Sequence, residues 1–259
     1  MKISVIVSTY NWPEALELSL KSLLAQTRLP DEIIVGDDGS GHETAAVIAE
    51  IQSYSPVRII HVWQEDKGFR LAEIRNKAVL ASSGDYIIQI DGDIFVHPRF
   101  VEDHESFAKP GFYLRGGRVM LDKKLTETLC RTRVPRIIKV WNRGIESKRP
   151  NTLRIKWLAD ILVSRYRPNS WVLGCNMSYY RSDFDSVNGY DESFVGWGGE
   201  DSDFFRRLRL NGVYNRRLKF AGLTYHLWHR QNVNPDLKKN DDYSMRPNPV
   251  IYCVNGAVK

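Results

Sequence analysis

The chain has 259 residues, 42 % apolar and 26 % charged, a balance that suits one large folded α/β unit and excludes a disordered chain. Its longest apolar runs, such as Ile3 to Val7, are strand-length and too short to cross a bilayer. The net charge of +6 is uneven: Arg131 to Arg167 holds eleven basic residues against only Glu146 and Asp160, so the remainder is net acidic.

The first hundred residues alternate strand and helix patterns, as crossover units of a parallel sheet do. Ile3 to Ser8 reads as a buried strand. Asn11-Trp12-Pro13 opens a helix, with Pro13 in its first turn and Leu16, Leu20, Leu23 and Leu24 on one face. Glu32 to Gly36 is a second strand, ending in the polar turn Asp37-Asp38-Gly39-Ser40. A helix over Glu43 to Ile51, a strand over Arg58 to Val62 and a helix over Ala72 to Ala81 follow. The strand Tyr86 to Ile90 then runs directly into Asp91-Gly92-Asp93. The second half is less regular. Leu153 to Tyr166 has helical spacing, Trp171 to Tyr179 reads as a strand, and Asp201 to Asn211 as a helix stopped by Gly212. No linker divides the chain, so one domain spanning 1–259 is expected.

Polar clusters fall where three of these strands end, and the carboxyl edge of an open parallel sheet is where ligands bind. They are Thr9-Tyr10-Asn11, Asp37-Asp38-Gly39-Ser40 and Asp91-Gly92-Asp93. Two carboxylates flanking a glycine are expected to face one space, where a hard divalent cation, Mg²⁺ or Mn²⁺, would relieve their repulsion. Arg70 and Arg75 sit near a helix start, placed to meet a phosphate or a nucleotide base and ribose, or to pair with Asp66 or Glu73 on the surface. In Gly196-Trp197-Gly198-Gly199-Glu200-Asp201-Ser202-Asp203 the glycines permit close backbone approach. Glu200 or Asp201 could accept a proton from a hydroxyl, while Asp203 reads as a structural cap. Trp197 is either a sugar-stacking or a core residue. His226 and His229 could each complete a Mn²⁺ shell, or simply pack beside Tyr225 and Trp228.

In order and spacing, Val7-Ser8-Thr9-Tyr10-Asn11, Gly36-Asp37-Asp38-Gly39-Ser40 and Asp91-Gly92-Asp93 resemble the motifs of the family-2 glycosyltransferases, which adopt the GT-A fold. The Gly196 to Asp203 segment resembles the Trp-Gly-Gly-Glu-Asp segment of the β-1,4-galactosyltransferase and chondroitin-polymerase type. The resemblance implies inverting transfer from a nucleotide sugar, a UDP-sugar, to a glycan or lipid-linked glycan hydroxyl in polysaccharide or cell-envelope synthesis. Thr9, Asp38 and Arg70 would hold the uridine, with Tyr10 close by and Asp91 and Gly92 near the ribose. Asp93 would ligate Mn²⁺ (or Mg²⁺), with His226 matching the ligand position better than His229. Asp201 would be the general base and Glu200 would orient the acceptor beside Trp197, Gly198 and Gly199. Residues 1–110 would form the nucleotide-sugar-binding half, and 111–259 the acceptor-binding and catalytic half.

A nucleotidyltransferase also uses paired carboxylates, but its usual glycine-rich phosphate loop is replaced here by Ser8-Thr9-Tyr10-Asn11. A nucleic-acid-binding protein would need a recognisable module, and none is present, so nucleic acid is not an expected partner. The basic stretch at 131–167 reads either as a solvated face or as a contact for an anionic acceptor or membrane. Cys130, Cys175 and Cys253 are widely spaced and suit a reducing compartment. Ser8, Tyr10 and Asn11 end the first apolar run without a leader-cleavage pattern, so the expected location is cytoplasmic, possible membrane contact being peripheral.

Overall fold

A computed structural model of the chain describes residues 1–163, 174–230, 237–247 and 250–259. The chain begins β1 (Ile3–Thr9), α1 (Pro13–Leu24), β2 (Glu32–Asp37), α2 (His42–Tyr54), β3 (Arg58–Trp63), α3 (Leu71–Ala81) and β4 (Tyr86–Asp91). These follow the sequence expectations to within a few residues at each end. β1 pairs in parallel with β2 and β4, and β2 with β3.

β1 and β2 are buried along their whole length. Their side chains alternate between two cores, as a pleated strand covered on both faces requires. Val5, Val7, Ile33, Val35, Ile88 and Ile90 join one core with Leu16, Leu20 and Leu23 of α1 and Ile48 and Ile51 of α2. Ile6, Ile34 and Ile87 point the other way, into a core shared with Ala72, Ala78 and Val79 of α3. Gly36 lets α3 lie against β2, since a Cβ there would sit 3.2 Å from that of Ala78.

Beyond β4 come β5 (Ile94–Val96), α4 (Phe100–Phe107), β6 (Phe112–Arg115), β7 (Arg118–Leu121), α5 (Lys123–Thr132), β8 (Ile145–Ser147) and α6 (Lys156–Val163). Then follow β9 (Asn176–Tyr180), α7 (Arg181–Ser186), α8 (Glu200–Leu210), β10 (Tyr214–Arg217), β11 (Thr224–His226) and α9 (Leu237–Ser244). The main sheet runs β10-β6-β9-β4-β1-β2-β3, with β9 antiparallel to both neighbours. Phe184 of α7 and Phe204, Phe205 and Leu208 of α8 complete the second core.

A second sheet, β5-β11-β7-β8, stands apart from the first. Asp122 caps α5, accepting from the Leu125 N–H at 2.8 Å, and Leu125 and Leu129 pack beneath this sheet with Val119 and Tyr225. The helix expected from Leu153 to Tyr166 is seen as Lys156–Val163, and residues 164–166 lie outside the described residues. Of the strand expected from Trp171 to Tyr179, residues 171–173 lie outside them too, and the ladder begins at Asn176.

Candidate active site

Strand order reverses at β1: β2 lies on one side and β4 on the other, which opens a crevice at their carboxyl ends. In register there, Ser8 stands beside Asp91 and Thr9 beside Asp37. The three polar clusters therefore do share one edge.

On the β2 side the two aspartates divide their work. Asp37 is fully buried, accepts from the Ser40 N–H at 2.8 Å and meets His61 Nε2 at 2.9 Å. Burial alone would raise its pKa, but these partners outweigh that and hold it low. Asp38 accepts from the Arg70 backbone N–H at 2.8 Å and from Gln64 Nε2 at 2.5 Å. Burial leaves its pKa raised despite those bonds. The intervening turn needs Gly39: its φ is +98° and a Cβ would lie 2.5 Å from the Asp66 Cα. Half-exposed Tyr10 donates its hydroxyl to Asp66 at 2.9 Å. Arg70 reaches Asp38 only through its main chain, for its guanidinium binds Glu73 at 2.7 Å and the Glu65 carbonyl.

Asp91 and Asp93 lie close enough for the charge of Asp93 to raise the pKa of Asp91, but their hydrogen-bond partners differ. Flanking a glycine with little room for a side chain (a Cβ on Gly92 would sit 3.0 Å from the Ser8 carbonyl oxygen), their carboxylates bind separate partners. Asp91 pairs with Arg75 Nη2 at 3.1 Å. The same guanidinium donates through Nη1 to Asp201 at 2.9 Å and Glu200 at 3.2 Å. Arg75 is 1 % exposed and lies 5.5 Å from the Tyr190 ring centroid. Asp201 also accepts from the Gly174 N–H at 3.0 Å. Burial pushes the pKa of both Asp91 and Glu200 up, with Arg75 opposing, and the Asp201 charge adds to the rise at Glu200.

The second arginine of the Gly68 to Asn76 segment is thus the one that organises the site. It lies on the buried stripe of α3 with Ala72, Asn76 and Val79. A charge at an apolar-stripe position is the signal the sequence carried, because a buried guanidinium demands carboxylate partners. Asn76 fixes the same helix from alongside, donating to the Tyr190 carbonyl and accepting from its N–H, both at 2.8 Å.

Asp93 turns towards the second sheet. The antiparallel pairing of β5 with β11 places His226 opposite Ile94, and Leu227 N–H donates to the Asp93 carbonyl at 3.0 Å. Asp93 Oδ2 lies 3.3 Å from His226 Nε2 and 3.2 Å from His229 Nε2. The structure therefore brings both histidines to this carboxylate. The other oxygen, Asp93 Oδ1, is buried and has no hydrogen-bond partner. One ligand atom from each of the three residues falls within 4.8 Å of the others. An orphaned carboxylate oxygen beside two imidazole nitrogens fits a divalent cation. Burial pushes the His226 pKa down, whereas the hydrogen bond to Asp93 raises that of His229. Arg118 on β7 lies close enough to act electrostatically on Asp93, and donates to Cys175 Sγ at 3.6 Å. Sequence reasoning passed over Arg118, as it did Gln64.

The glycine-rich segment closes the opposite wall. Gly196, Gly198 and Gly199 all have positive φ. A Cβ on Gly199 would lie 2.6 Å from the Asn240 carbonyl oxygen, so α9 can pack on the loop only if this residue is glycine. Asn240 Nδ2 donates to the Val195 carbonyl at 3.1 Å. Trp197 is 56 % exposed and is not a core residue. Asp203 is structural, through a fully buried pair with Arg207 at 2.7 Å and a second with Arg246 at 2.9 Å.

Comparison with known proteins places this arrangement. Residues 4–167 match Glycosyl transferase family 2, and residues 162–230 match the N-terminal domain of galactosyltransferase. A chondroitin synthase of Escherichia coli is 27 % identical over 86 % of this chain and 34 % of its own length. A validoxylamine A glucosyltransferase of Streptomyces hygroscopicus subsp. limoneus is 29 % identical over 96 % of this chain and 57 % of its own. The chain thus spans between a third and somewhat over half of these relatives. Among solved structures, a mannosyltransferase from Pyrobaculum calidifontis in complex with GDP-Man and Mn²⁺ superposes with a TM-score of 0.63 at 15 % identity, covering 89 % of this chain and 58 % of that one. S. aureus TarS 1-349 in complex with UDP gives 0.58 at 19 % identity, covering 87 % and 60 %. With most of its length matched and its mainly parallel sheet flanked by helices, the chain belongs to glycosyl transferase family 2 and has the GT-A fold.

Proposed function

We propose that this chain transfers a sugar from a UDP-sugar to a hydroxyl of a glycan or lipid-linked glycan, with inversion at the anomeric carbon. The observation that carries the reading is the meeting of two carboxylate systems in one crevice. The Asp93, His226 and His229 cluster has its unpartnered oxygen, and the Arg75-bridged trio of Asp91, Glu200 and Asp201 adjoins it. The family, and the nucleotides bound by the two structural neighbours, support a nucleotide-sugar donor.

On this reading Thr9, Tyr10, Asp38 and Arg70 form the wall for the uracil and its ribose, with Asp91 and Gly92 at the ribose and diphosphate. Asp93 with the two histidines would hold Mn²⁺, which when bound neutralises charge growing on the leaving diphosphate. Arg118 adds a fixed positive charge on that side. Asp201 keeps lone pairs free after accepting from Arg75 and Gly174, so it can take the acceptor proton as the hydroxyl oxygen attacks. Glu200 and exposed Trp197 orient the acceptor sugar, and Gly198 and Gly199, both at positive φ, set the course of the loop that carries them. Residues 1–110 would be the donor half and 111–259 the acceptor half of a single domain.

A panel of UDP-, GDP- and dTDP-sugars, assayed for Mn²⁺-dependent hydrolysis or binding, tests the proposal. UDP-sugars should prevail. Equal response to all three, or none to any, would overturn it.

A further inference from the structure

The segment between α5 and the Arg149–Thr152 turn exposes apolar side chains that a water-facing loop does not need. Val134, Ile137 and Trp141 are 62 %, 46 % and 72 % exposed. Around them stand Arg131, Arg136, Lys139, Arg143 and Lys148, all exposed and none with an acidic partner among the described residues. Lys139 Nζ lies 5.4 Å from the Trp141 ring centroid, so charge and aromatic face share one tip.

These tips are held by packing beneath them. Ile138 is fully buried in the core under the second sheet. Arg133 is tied to Glu17 at 2.6 Å and Glu14 at 3.4 Å, anchoring the segment to α1. Arg149 donates to the carbonyls of Val140 and Asn142 at 2.6 and 2.9 Å, bracing the loop from behind. The segment therefore presents its apolar tips from a fixed base.

We propose that residues 131–149 dock this protein on an anionic lipid surface. Basic side chains around an exposed tryptophan and two aliphatic residues match a negatively charged interface with an apolar layer below its headgroups. A soluble polyanion, whether glycan or nucleic acid, offers nothing to Val134 and Ile137. A second copy of the chain would bring two like-charged patches together. The patch is also well placed. It brackets β8, at the opposite edge of the second sheet from β5, roughly 14 Å away at the usual strand spacing, so docking leaves the Asp93 and His226 corner open. Among the described residues no helix is long and apolar enough to cross a membrane, so the contact would be peripheral. The inference holds whether or not the donor and acceptor assignments above are right.

Cosedimentation with phosphatidylcholine vesicles, with and without phosphatidylglycerol, tests it. Binding should require the anionic lipid and weaken as salt is raised. The Arg136→Gln, Lys139→Gln, Arg143→Gln triple variant should lower the partition coefficient on the order of 100-fold, and Trp141→Ala roughly 10-fold. Both should keep the wild-type melting temperature and donor-sugar hydrolysis. Equal binding to both kinds of vesicle would overturn the proposal. So would binding that falls with charge but ignores Trp141→Ala, which would point to a soluble polyanion instead.

Discussion

Replacing Arg75 with methionine keeps much of the side-chain length but removes the charge that Asp91, Glu200 and Asp201 share. Three carboxylates would then crowd one site without a counter-charge, and two of them, Asp91 and Glu200, already have raised pKa values. Breaking a buried ion pair by removing one partner costs about 3–5 kcal/mol. Proton uptake by one or two of the carboxylates would offset part of this, leaving a net loss of about 2–4 kcal/mol. For a chain of this size that corresponds to a fall of roughly 5–15 °C in melting temperature. Arg75→Lys should fall between, since an ammonium keeps the charge but cannot present the planar fork that reaches all three partners. Adding Glu200→Gln and Asp201→Asn to Arg75→Met should recover stability without recovering transfer. Urea unfolding followed by circular dichroism, alongside a sugar-transfer assay, reads both quantities. An Arg75→Met protein within about 0.5 kcal/mol of wild type would refute the reasoning, because a surface-like substitution costs no more than that.

Asp201→Asn should preserve UDP-sugar binding and abolish transfer, read as unchanged donor affinity in calorimetry with no product; normal turnover would remove the base assignment. Gly199→Ala should destabilise the protein by about 1–3 kcal/mol, since φ is +88° and the new methyl meets the Asn240 carbonyl; an unchanged urea midpoint would contradict the packing of α9 on the loop. Acid stability should depend on His104, which is fully buried between Ser178 and Asn176 and whose pKa burial pushes down to about 3. The unfolded chain binds a proton there below its ordinary 6.5 while the folded one refuses it. The His104 contribution is therefore complete above that pH and lost towards 3, by up to about 1.4 kcal/mol per pH unit. His104→Gln should flatten the urea-stability slope between neutral and mildly acid pH, and identical slopes would count against a neutral buried imidazole.

The first half of the main sheet was legible because β1, β2 and β4 are buried on both faces. β1, β2 and β4 read as largely apolar runs, interrupted by Ser4 in β1 and Gln89 in β4, that stop at polar turns, and Pro13 marks the start of α1. The second sheet was not legible. β5, β8 and β11 have three residues each, too few for an alternating pattern to declare itself. α4 buries Asp103 and His104, so its inward face does not look apolar. The Asp93 corner inherits that difficulty: His226 meets Asp93 only through pairing of strands more than a hundred residues apart in sequence. Asp91 and Asp93 show the limit of spacing arguments, because two residues separated by one glycine found different counter-charges. Arg75 was visible as an arginine near a helix start, but only the three-dimensional structure shows that it, rather than Arg70, turns inward.

Manganese binding measured by electron paramagnetic resonance, with UDP present, addresses the central claim most directly. Wild-type protein should bind the ion, and Asp93→Ala should weaken it by more than the roughly 10- to 100-fold typical of outer-shell changes. Unaltered Mn²⁺ affinity in Asp93→Ala would contradict the account.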